Sequence, residues 1–263
     1  MRGDYASALT LYHAARKEAF LMGFGCNPVD DLLPHGGLLA GTVVMVSGET
    51  ASGKTRLLLA SALHTVRSTP CTVAYLHTQP RNAVAAMLAS IDAPASQMAR
   101  IRCYQCQSVL NLIDMLTTIN SAVRDRASTY ASGLRLVLID DPGFLLSSLD
   151  GDTSANIKAV VIQLIRELAR EHRICVVLTN RLVKGRITSA GLQPALGKIW
   201  THVADAELRL RRDSTVPDVF SASIPAPRNI APAEKVASFV IGRNGAIVEA
   251  SPDGQSIEDN RRI

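Results

Sequence analysis

The chain contains 263 residues, 47% of them hydrophobic and 19% charged, with a formal net charge of +5 and an isoelectric point near 9.1. This composition excludes disordered and fibrous proteins and suits one large α/β domain, while the basic charge is compatible with a nucleic-acid partner without establishing one. Apolar runs fall short of the roughly 20 residues that span a bilayer, and residues 1–20 lack the apolar segment of a signal peptide, so we expect a soluble intracellular protein with no membrane partner.

Hydrophobic periodicity predicts alternating strands and helices up to Asn180. Residues 5–19 are typical of a short amphipathic helix, and the turn-rich segment 23–41 leads into the first buried strand. Five buried strands are predicted, at Thr42–Ser47, Cys71–His77, Arg100–Tyr104, Leu134–Asp140 and Ile174–Asn180. Helices are predicted between them, at 54–68, 81–91, 109–123 and 157–168. This alternation favours parallel βαβ units with right-handed crossovers.

After Asn180 the pattern changes to short strands joined by turns. These strands are predicted at Ala204–Leu210, Val219–Ile224, Val236–Ile241 and Ala246–Glu249. Asn244-Gly245 is a strong two-residue hairpin signal. We therefore expect a mainly parallel sheet flanked by helices and extended by an antiparallel C-terminal edge. Residues 1–20 are interpreted as a short helix and linker, 21–250 as one core and 251–263 as a polar tail.

The cysteine count is odd, and several of the cysteines have apolar neighbours, which favours reduced thiols over disulfides. The five are Cys26, Cys71, Cys103, Cys106 and Cys175. Cys103 and Cys106 have Cys-x-x-Cys spacing, but this pair overlaps a predicted strand and no second pair follows at zinc-finger spacing. A structural role is therefore favoured over a metal or redox site.

The most specific motif follows the first buried strand. Eight residues match the pattern Gly-x-x-x-x-Gly-Lys-Ser/Thr in full: Gly48, Glu49, Thr50, Ala51, Ser52, Gly53, Lys54 and Thr55. The glycines let backbone N–H groups turn toward phosphate oxygens, and the helix that follows adds its positive N-terminal dipole. We expect Lys54 to reach the β- and γ-phosphates and Thr55 to coordinate Mg²⁺, so ATP and Mg²⁺ are the predicted cofactors.

A second candidate residue ends the strand Leu134–Asp140. A carboxylate at the end of a buried strand is rigidly placed and suits the shell of a magnesium ion. Asp140 lies downstream of the glycine-rich loop by the length of two βαβ units. The alternative is an ordinary aspartate at a strand end. The upstream loop favours the functional interpretation, with Asp140 as a catalytic and metal-binding residue.

Three further segments carry a resemblance to a known family. The lead-in 23–41 contains Asp-Asp-Leu-Leu and a double glycine, and Val176–Asn180 reads Val-Val-Leu-Thr-Asn. The third segment, Leu192–Trp200, reads Leu-Gln-Pro-Ala-Leu-Gly-Lys-Ile-Trp. Together with the phosphate loop and Asp140, these segments resemble the ATPase core of the RecA-family recombinases over residues 20–250. Leu192–Trp200 is most similar to the D-type branch of their eukaryotic paralogues.

This resemblance implies a RecA-like P-loop NTPase core that binds ATP and takes part in homologous-recombination DNA repair. It further implies single-stranded or branched DNA as a partner, together with other recombinase paralogues in a hetero-oligomer. Nuclear localisation follows from that role. In the family, the strand that corresponds to Val176–Asn180 ends at a nucleotide-sensing position.

One departure from the family concerns hydrolysis. Members that turn over ATP well have a glutamate at the end of the second core strand, where it polarises the attacking water. This chain has Gln79 at that place. An amide orients water but cannot accept its proton, so we expect a weak, DNA-dependent ATPase at most, since general-base assistance contributes roughly 10²–10⁴ in rate. Asp141 is either a substitute carboxylate or, as we favour, a cap before Pro142.

A second departure concerns the N-terminus. The helical N-terminal domain common in the family is expected to be missing or reduced to residues 1–20. Phe20-Leu-Met-Gly lacks the alanine of the family's Phe-x-x-Ala docking motif. We therefore expect a defined hetero-oligomer rather than long self-assembled filaments.

Two loops line the DNA path in the family, and they correspond here to segments 142–154 and 181–198. The first segment contains no Lys or Arg, and its Asp150 and Asp152 would repel phosphate. Four basic residues of the second segment are interpreted as DNA-binding: Arg181, Lys184, Arg186 and Lys198. A solvated surface loop is the alternative for this segment.

Other large or basic side chains near the C-terminal half have less specific interpretations. Trp200, the single tryptophan, is expected to pack in the core rather than stack on bases. Arg209, Arg211 and Arg212 either reach the phosphates of an adjoining subunit or solubilise an edge strand.

Three functions compete for this sequence. The leading hypothesis is an ATP-binding mediator subunit that assists a recombinase. The second is a self-sufficient strand-exchange ATPase, which Gln79 and the acidic segment 142–154 disfavour. The third is a regulatory ATPase that acts on proteins, which the resemblance of Leu192–Trp200 disfavours.

Overall fold

A computed structural model of the chain describes residues 7, 20–91, 93–147, 149, 152–184, 192–196, 200, 202–216, 218–225, 235–242 and 247–250. Apart from Ser7, the expected helix at 5–19 lies outside these residues. The expected hairpin turn at Asn244-Gly245 and the tail 251–263 lie outside them as well.

Short elements precede the main sheet. Strands β1 (Leu21–Met22) and β2 (Leu38–Leu39) pair antiparallel, and helix α1 (Asn27–Asp30) lies between them in sequence. The buried carboxylate of Asp30 accepts a hydrogen bond from the Phe24 amide at 2.7 Å, which ties α1 to the lead-in segment. Burial raises the pKa of Asp30 to about 6.

A ten-stranded sheet forms the centre of the fold. Its strands are β3 (Val43–Gly48), β4 (Thr72–His77), β5 (Ile101–Gln105), β6 (Leu134–Asp140), β7 (Cys175–Lys184), β8 (Leu192–Pro194), β9 (Ala206–Arg212), β10 (Val219–Ser223), β11 (Val236–Ile241) and β12 (Ile247–Glu249). The order across the sheet is β12-β11-β10-β9-β3-β7-β6-β4-β5, and β8 pairs with β7 outside this order. The pairs from β9 to β5 are parallel, whereas β8, β10, β11 and β12 pair antiparallel.

The remaining helices cover the two faces of the sheet. They are α2 (Lys54–Ser68), α3 (Arg81–Ala89), α4 (Ala95–Met98), α5 (Val109–Arg124), α6 (Thr129–Ser132), α7 (Pro142–Leu146) and α8 (Asp152–Arg170). The predicted α/β class is confirmed, and the fold is that of a RecA-like P-loop NTPase core with a mainly parallel sheet and an antiparallel C-terminal edge.

The hydrophobic core lies on both faces of the sheet, which explains why the parallel strands are nearly continuous apolar runs. Alternate residues of β6 enter different clusters. Leu136 and Leu138 pack on the face covered by α2, whereas Val137 and Ile139 pack on the face covered by α5 and α8. Because side chains alternate along a strand, Asp140 lies on the α2 face. This alternation positions the carboxylate beside the start of α2.

Two segments expected as loops contain regular structure. In segment 142–154, Pro142 begins the short helix α7, and α8 begins at Asp152. In segment 181–198, strand β7 continues to Lys184 and pairs with β8. The antiparallel edge also begins one strand later than expected, because β9 pairs parallel with β3.

The structure also bears on the expectations for Trp200, for the cysteines and for membrane-spanning segments. Trp200 is fully buried, as predicted for a core residue. Every cysteine is free, and Cys103 alone is exposed. Within the described ranges, no helix has the length and apolarity needed to cross a membrane.

Candidate nucleotide-binding site

The segment Gly48–Thr55 joins the end of β3 to the start of α2. Its two motif glycines are required by space and by backbone conformation. A Cβ atom at Gly48 would lie 2.6 Å from the carbonyl oxygen of Leu210. Gly53 has φ +89°, and a Cβ atom there would lie 2.9 Å from the ring of Phe220. Helix α2 begins without a side-chain cap, so the N–H groups of its first turn suit an anion.

Lys54 folds back over this loop. Its Nζ donates to the carbonyl oxygens of Gly48 at 2.9 Å and Glu49 at 2.6 Å. Burial lowers the pKa of Lys54 below its usual value, and the carboxylates of Asp141 and Asp140 act in the opposite direction. The ammonium group is therefore held where phosphates bind in a loop of this kind.

Thr55 and Asp140 are brought together from α2 and β6. The Thr55 hydroxyl donates to Oδ2 of Asp140 at 2.7 Å, although the residues are 85 positions apart. A hydroxyl and a carboxylate in contact provide the oxygen ligands that Mg²⁺ prefers, with the remaining positions left to phosphate and water. The residues present therefore fit the cofactor predicted from sequence.

Two further hydroxyl groups hold Asp140, and sequence reasoning missed both. The phenol of Tyr75 donates to Oδ2 at 3.0 Å, and the hydroxyl of Thr179 donates to Oδ1 at 2.9 Å. Tyr75 is fully buried, and burial together with the Asp140 charge raises its pKa far above the usual value. A tyrosine within an apolar strand was the available signal, because a buried hydroxyl needs a partner.

Gln79 lies two residues beyond the end of β4. The strand ends at His77, which is the register partner of Asp140, and the Thr78 amide donates to the Asp140 carbonyl at 3.3 Å. The main-chain carbonyl of Gln79 contacts Nδ1 of His77 at 3.1 Å and accepts from the side-chain Nε2 of Gln105 at 3.3 Å. These contacts fix the backbone of Gln79 at the same edge of the sheet as Asp140.

Asp141 caps helix α7. Its backbone has φ +55°, and Oδ1 accepts a hydrogen bond from the Phe144 amide at 3.2 Å. The cap that we favoured from the sequence is therefore present. Oδ2 also forms an ion pair with Arg181 at 2.6 Å. Sequence reasoning missed this ion pair, because it joins the residue that follows β6 to a residue within β7, 40 positions away.

A cavity of about 290 Å³ opens beside the phosphate loop. Residues outside the loop contribute Arg212 from β9, Phe220 from β10 and Asp218 between these strands. Arg212 therefore lies at the loop of its own chain. Arg209 forms an ion pair with Glu207 on the same strand, with 3.8 Å between Nη2 and Oε1.

The residues predicted to bind DNA are only partly described. Arg181 lies within β7 and Lys184 ends that strand. Arg186 and Lys198 lie outside the described residues. The structure therefore brings Arg181 to the phosphate loop, and the other three side chains lie outside what it describes.

These features define a P-loop nucleotide-binding protein with a RecA-like core. A family model described as an AAA domain matches residues 16–186. The chain belongs to this AAA domain family.

Two relatives with the same name are similar to most of the chain. DNA repair protein RAD51 homolog 4 from Bos taurus is 28% identical over 215 residues, which cover 78% of this chain and 65% of the relative. The protein of that name from Mus musculus is 26% identical over 213 residues, which cover 76% of this chain and 63% of the relative. The chain thus spans less than two thirds of the length of these curated relatives.

Proposed function

We propose that this chain is an ATP- and Mg²⁺-binding mediator subunit in homologous-recombination DNA repair. It acts in the nucleus, in a hetero-oligomer with other recombinase paralogues, on single-stranded or branched DNA. The observation that carries the proposal is the contact between Thr55 and Asp140 at the end of a complete phosphate loop. The two similar proteins are named as DNA repair proteins, and this supports a role in DNA repair.

The assignment to the D-type branch rests on the segment Leu192–Trp200. Within this segment Leu196 and Trp200 are buried in the core on the α5 and α8 face, whereas Leu192 is exposed. The Ala195 amide donates to the carbonyl of Arg181 at 2.7 Å, which ties the segment to β7. The similarity to the RAD51 homolog 4 proteins supports the same branch. We retain residues 21–250 as the proposed extent of the core.

The proposed catalytic roles belong to three residues. Lys54 neutralises phosphate charge, Asp140 holds the magnesium shell together with Thr55, and Gln79 orients water. Mg²⁺ held by Thr55 and Asp140 would supply Lewis-acid stabilisation of the charge that develops on the phosphates. Because the Gln79 amide accepts no proton, we propose slow turnover, so that nucleotide binding governs assembly more than hydrolysis does.

The proposed DNA contacts are the basic residues Arg181, Lys184, Arg186 and Lys198, assisted by Phe144. Phe144 is 60% exposed on α7, which contacts β7. An exposed aromatic ring stacks on bases without sequence preference, and lysine and arginine follow the phosphate backbone. This pattern favours single-stranded DNA over direct reading of base pairs.

A single comparison tests the proposal against its two competitors. The purified chain, alone and with recombinase paralogues that co-purify with it, is titrated onto labelled single-stranded DNA at low salt, and phosphate release is measured in parallel. The mediator hypothesis expects DNA binding in the complex and slow hydrolysis. Fast, DNA-stimulated hydrolysis by the chain alone would establish the strand-exchange ATPase instead. Failure to bind DNA, with or without partners, would favour the ATPase that acts on proteins.

A further inference from the structure

The turn between β9 and β10 presents a free hydroxyl group. Strand β9 ends at Arg212, and β10 begins at Val219. The Asp213 amide donates to the carbonyl of Val219 at 2.9 Å, which closes the turn. Ser214 lies in this turn and is exposed, and no hydrogen bond or ion pair joins its side chain to the residues that the structure describes. Its Oγ is therefore accessible to another enzyme.

Asp213 organises the turn and distinguishes its two hydroxyl groups. Oδ1 of Asp213 accepts from the amides of Thr215 at 2.7 Å and Val216 at 3.0 Å. The Thr215 hydroxyl donates to the same oxygen at 2.6 Å. Thr215 is thus engaged within the turn, whereas Ser214 is not. Of these two neighbours, Ser214 is the available acceptor for a modification.

A group of arginines precedes Ser214 in the sequence: Arg209, Arg211 and Arg212. Protein kinases that select their substrates by charge bind such residues in an acidic groove. Side chains alternate along β9, so Arg209 and Arg211 share one face of the strand and Arg212 lies on the other. Leu210 is the last residue of β9 that pairs with β3, so Arg211 and Arg212 extend past that side of the sheet. Both of these arginines are exposed, so a kinase can bind them together with the turn.

The same turn borders the proposed nucleotide site. Arg212 and Asp218 line the cavity of about 290 Å³ beside the phosphate loop. Asp218 also pairs at 3.6 Å with Arg56, which directly follows Thr55. Ser214 is two residues beyond Arg212, which corresponds to at most about 7 Å of extended chain. That distance is shorter than the screening length of about 8–10 Å at physiological salt, so a charge on Ser214 acts on the cavity.

We infer that Ser214 is a phosphorylation site for an arginine-directed serine/threonine kinase and that its phosphate weakens ATP binding at the phosphate loop. The second part rests on the proposed nucleotide site. The kinase transfers the γ-phosphoryl group of its own ATP. The bond from the γ-phosphorus to the bridging oxygen breaks, a bond to Oγ of Ser214 forms, ADP leaves, and the hydroxyl proton passes to the catalytic aspartate of the kinase. Phosphoserine carries a charge of about −1.5 to −2 at pH 7, so it pairs with Arg212 and repels the triphosphate.

The first experiment measures phosphate transfer to the purified, folded chain by a kinase that prefers arginine three and five positions before the acceptor. Mass spectrometry locates the modified residue, and a synthetic peptide of residues 207–217 confirms that the kinase is active. We expect modification of Ser214, slowed about tenfold by Arg211→Gln, which corresponds to the loss of one charge-assisted contact. A reaction without the kinase measures any transfer by the chain itself. Modification of the peptide but not of Ser214 in the folded chain would overturn the inference.

Thr129 provides the matched control. It is exposed and also has arginines three and five positions before it, but it lines a different depression, at the starts of β4 and β6. The second experiment therefore compares Thr129→Ala with Ser214→Ala, each before and after treatment with the kinase, by titration calorimetry with Mg·AMP-PNP. Treatment should weaken AMP-PNP binding about three- to tenfold in Thr129→Ala and leave it unchanged in Ser214→Ala. Unfolding midpoints establish that both variants are folded.

Salt separates an effect of charge from a change in structure. At 1 M salt the screening length is about 3 Å, so the weakening in Thr129→Ala should nearly disappear. A loss of affinity that persists at 1 M salt would overturn the electrostatic role, because it would mean that the phosphate displaces the turn. Equal affinities before and after modification of Ser214 would overturn the regulatory part. Failure of the untreated chain to bind AMP-PNP would instead remove the proposed nucleotide site, whereas modification of Ser214 would still stand.

Discussion

Replacing Tyr75 by phenylalanine tests whether Asp140 depends on its buried hydroxyl partners. The substitution removes one oxygen and leaves the packing of the ring unchanged. That oxygen donates to a buried carboxylate at 3.0 Å, and hydrogen bonds to charged groups contribute about 1.5–3 kcal/mol. Oδ2 of Asp140 keeps its bond from Thr55 at 2.7 Å, so the carboxylate is not left without a partner. We therefore expect the free energy of unfolding to fall by about 1.5–2 kcal/mol, near the lower end of that range.

The loss is measured as the free energy of unfolding in urea. Tyr130→Phe is the matched control, because the Tyr130 hydroxyl donates at 2.7 Å to a neutral acceptor, the carbonyl of Val73. A neutral hydrogen bond contributes about 0.5–1.5 kcal/mol, so the control should cost less. In an Asp140→Asn background, Tyr75→Phe should become nearly as mild as the control. A Tyr75→Phe cost no greater than that of Tyr130→Phe would refute the idea that the phenol stabilises a charged Asp140.

Three further predictions concern other parts of the molecule. Burial raises the pKa of Asp30 from 3.8 to about 6, so the stability that protonated Asp30 contributes is present below about pH 4 and is lost as the pH rises through 6. The free energy of unfolding should therefore fall across that range in the unsubstituted chain and in Asp31→Asn, which changes the exposed neighbour. It should fall less in Asp30→Asn. Gln79→Glu should speed phosphate release by about tenfold or more, and an unchanged rate would place Gln79 away from the attacking water. Gly53→Ala should abolish nucleotide binding measured by calorimetry, because a Cβ there meets an aromatic ring at 2.9 Å, whereas Gly36→Ala, also at positive φ but with nothing within 4 Å, should bind normally.

Local pattern was sufficient to predict the elements that carry the phosphate loop and Asp140. The loop is a contiguous motif, and Asp140 ends an unbroken apolar run, so both are visible without knowing which strands are neighbours. The cap at Asp141 was likewise predictable from the proline that follows it. Each of these features depends on residues within one short segment.

Features that depend on pairing between distant segments were not predicted. Tyr75 and Thr179 reach Asp140 from strands 65 and 39 positions away, and their roles depend on β4 and β7 flanking β6. The same limitation applied to segment 181–198, where the pairing of β7 with β8 replaces an expected loop. The parallel pairing of β9 with β3 also depends on the order of strands, which periodicity does not contain.

The end of β6 combines features that lie within one short segment with contacts between distant segments. Its two consecutive carboxylates hold two alternate residues of β7, since Asp140 accepts from Thr179 and Asp141 pairs with Arg181. Magnesium held at the proposed site by Thr55 and Asp140 would act on the first pair. Strand β7 would then respond to the bound ion through Thr179, and the bond from the Ala195 amide to the Arg181 carbonyl would connect that response to the segment that continues from β8. A nucleotide signal would therefore reach the proposed DNA contacts through one strand, without requiring ATP to be hydrolysed quickly.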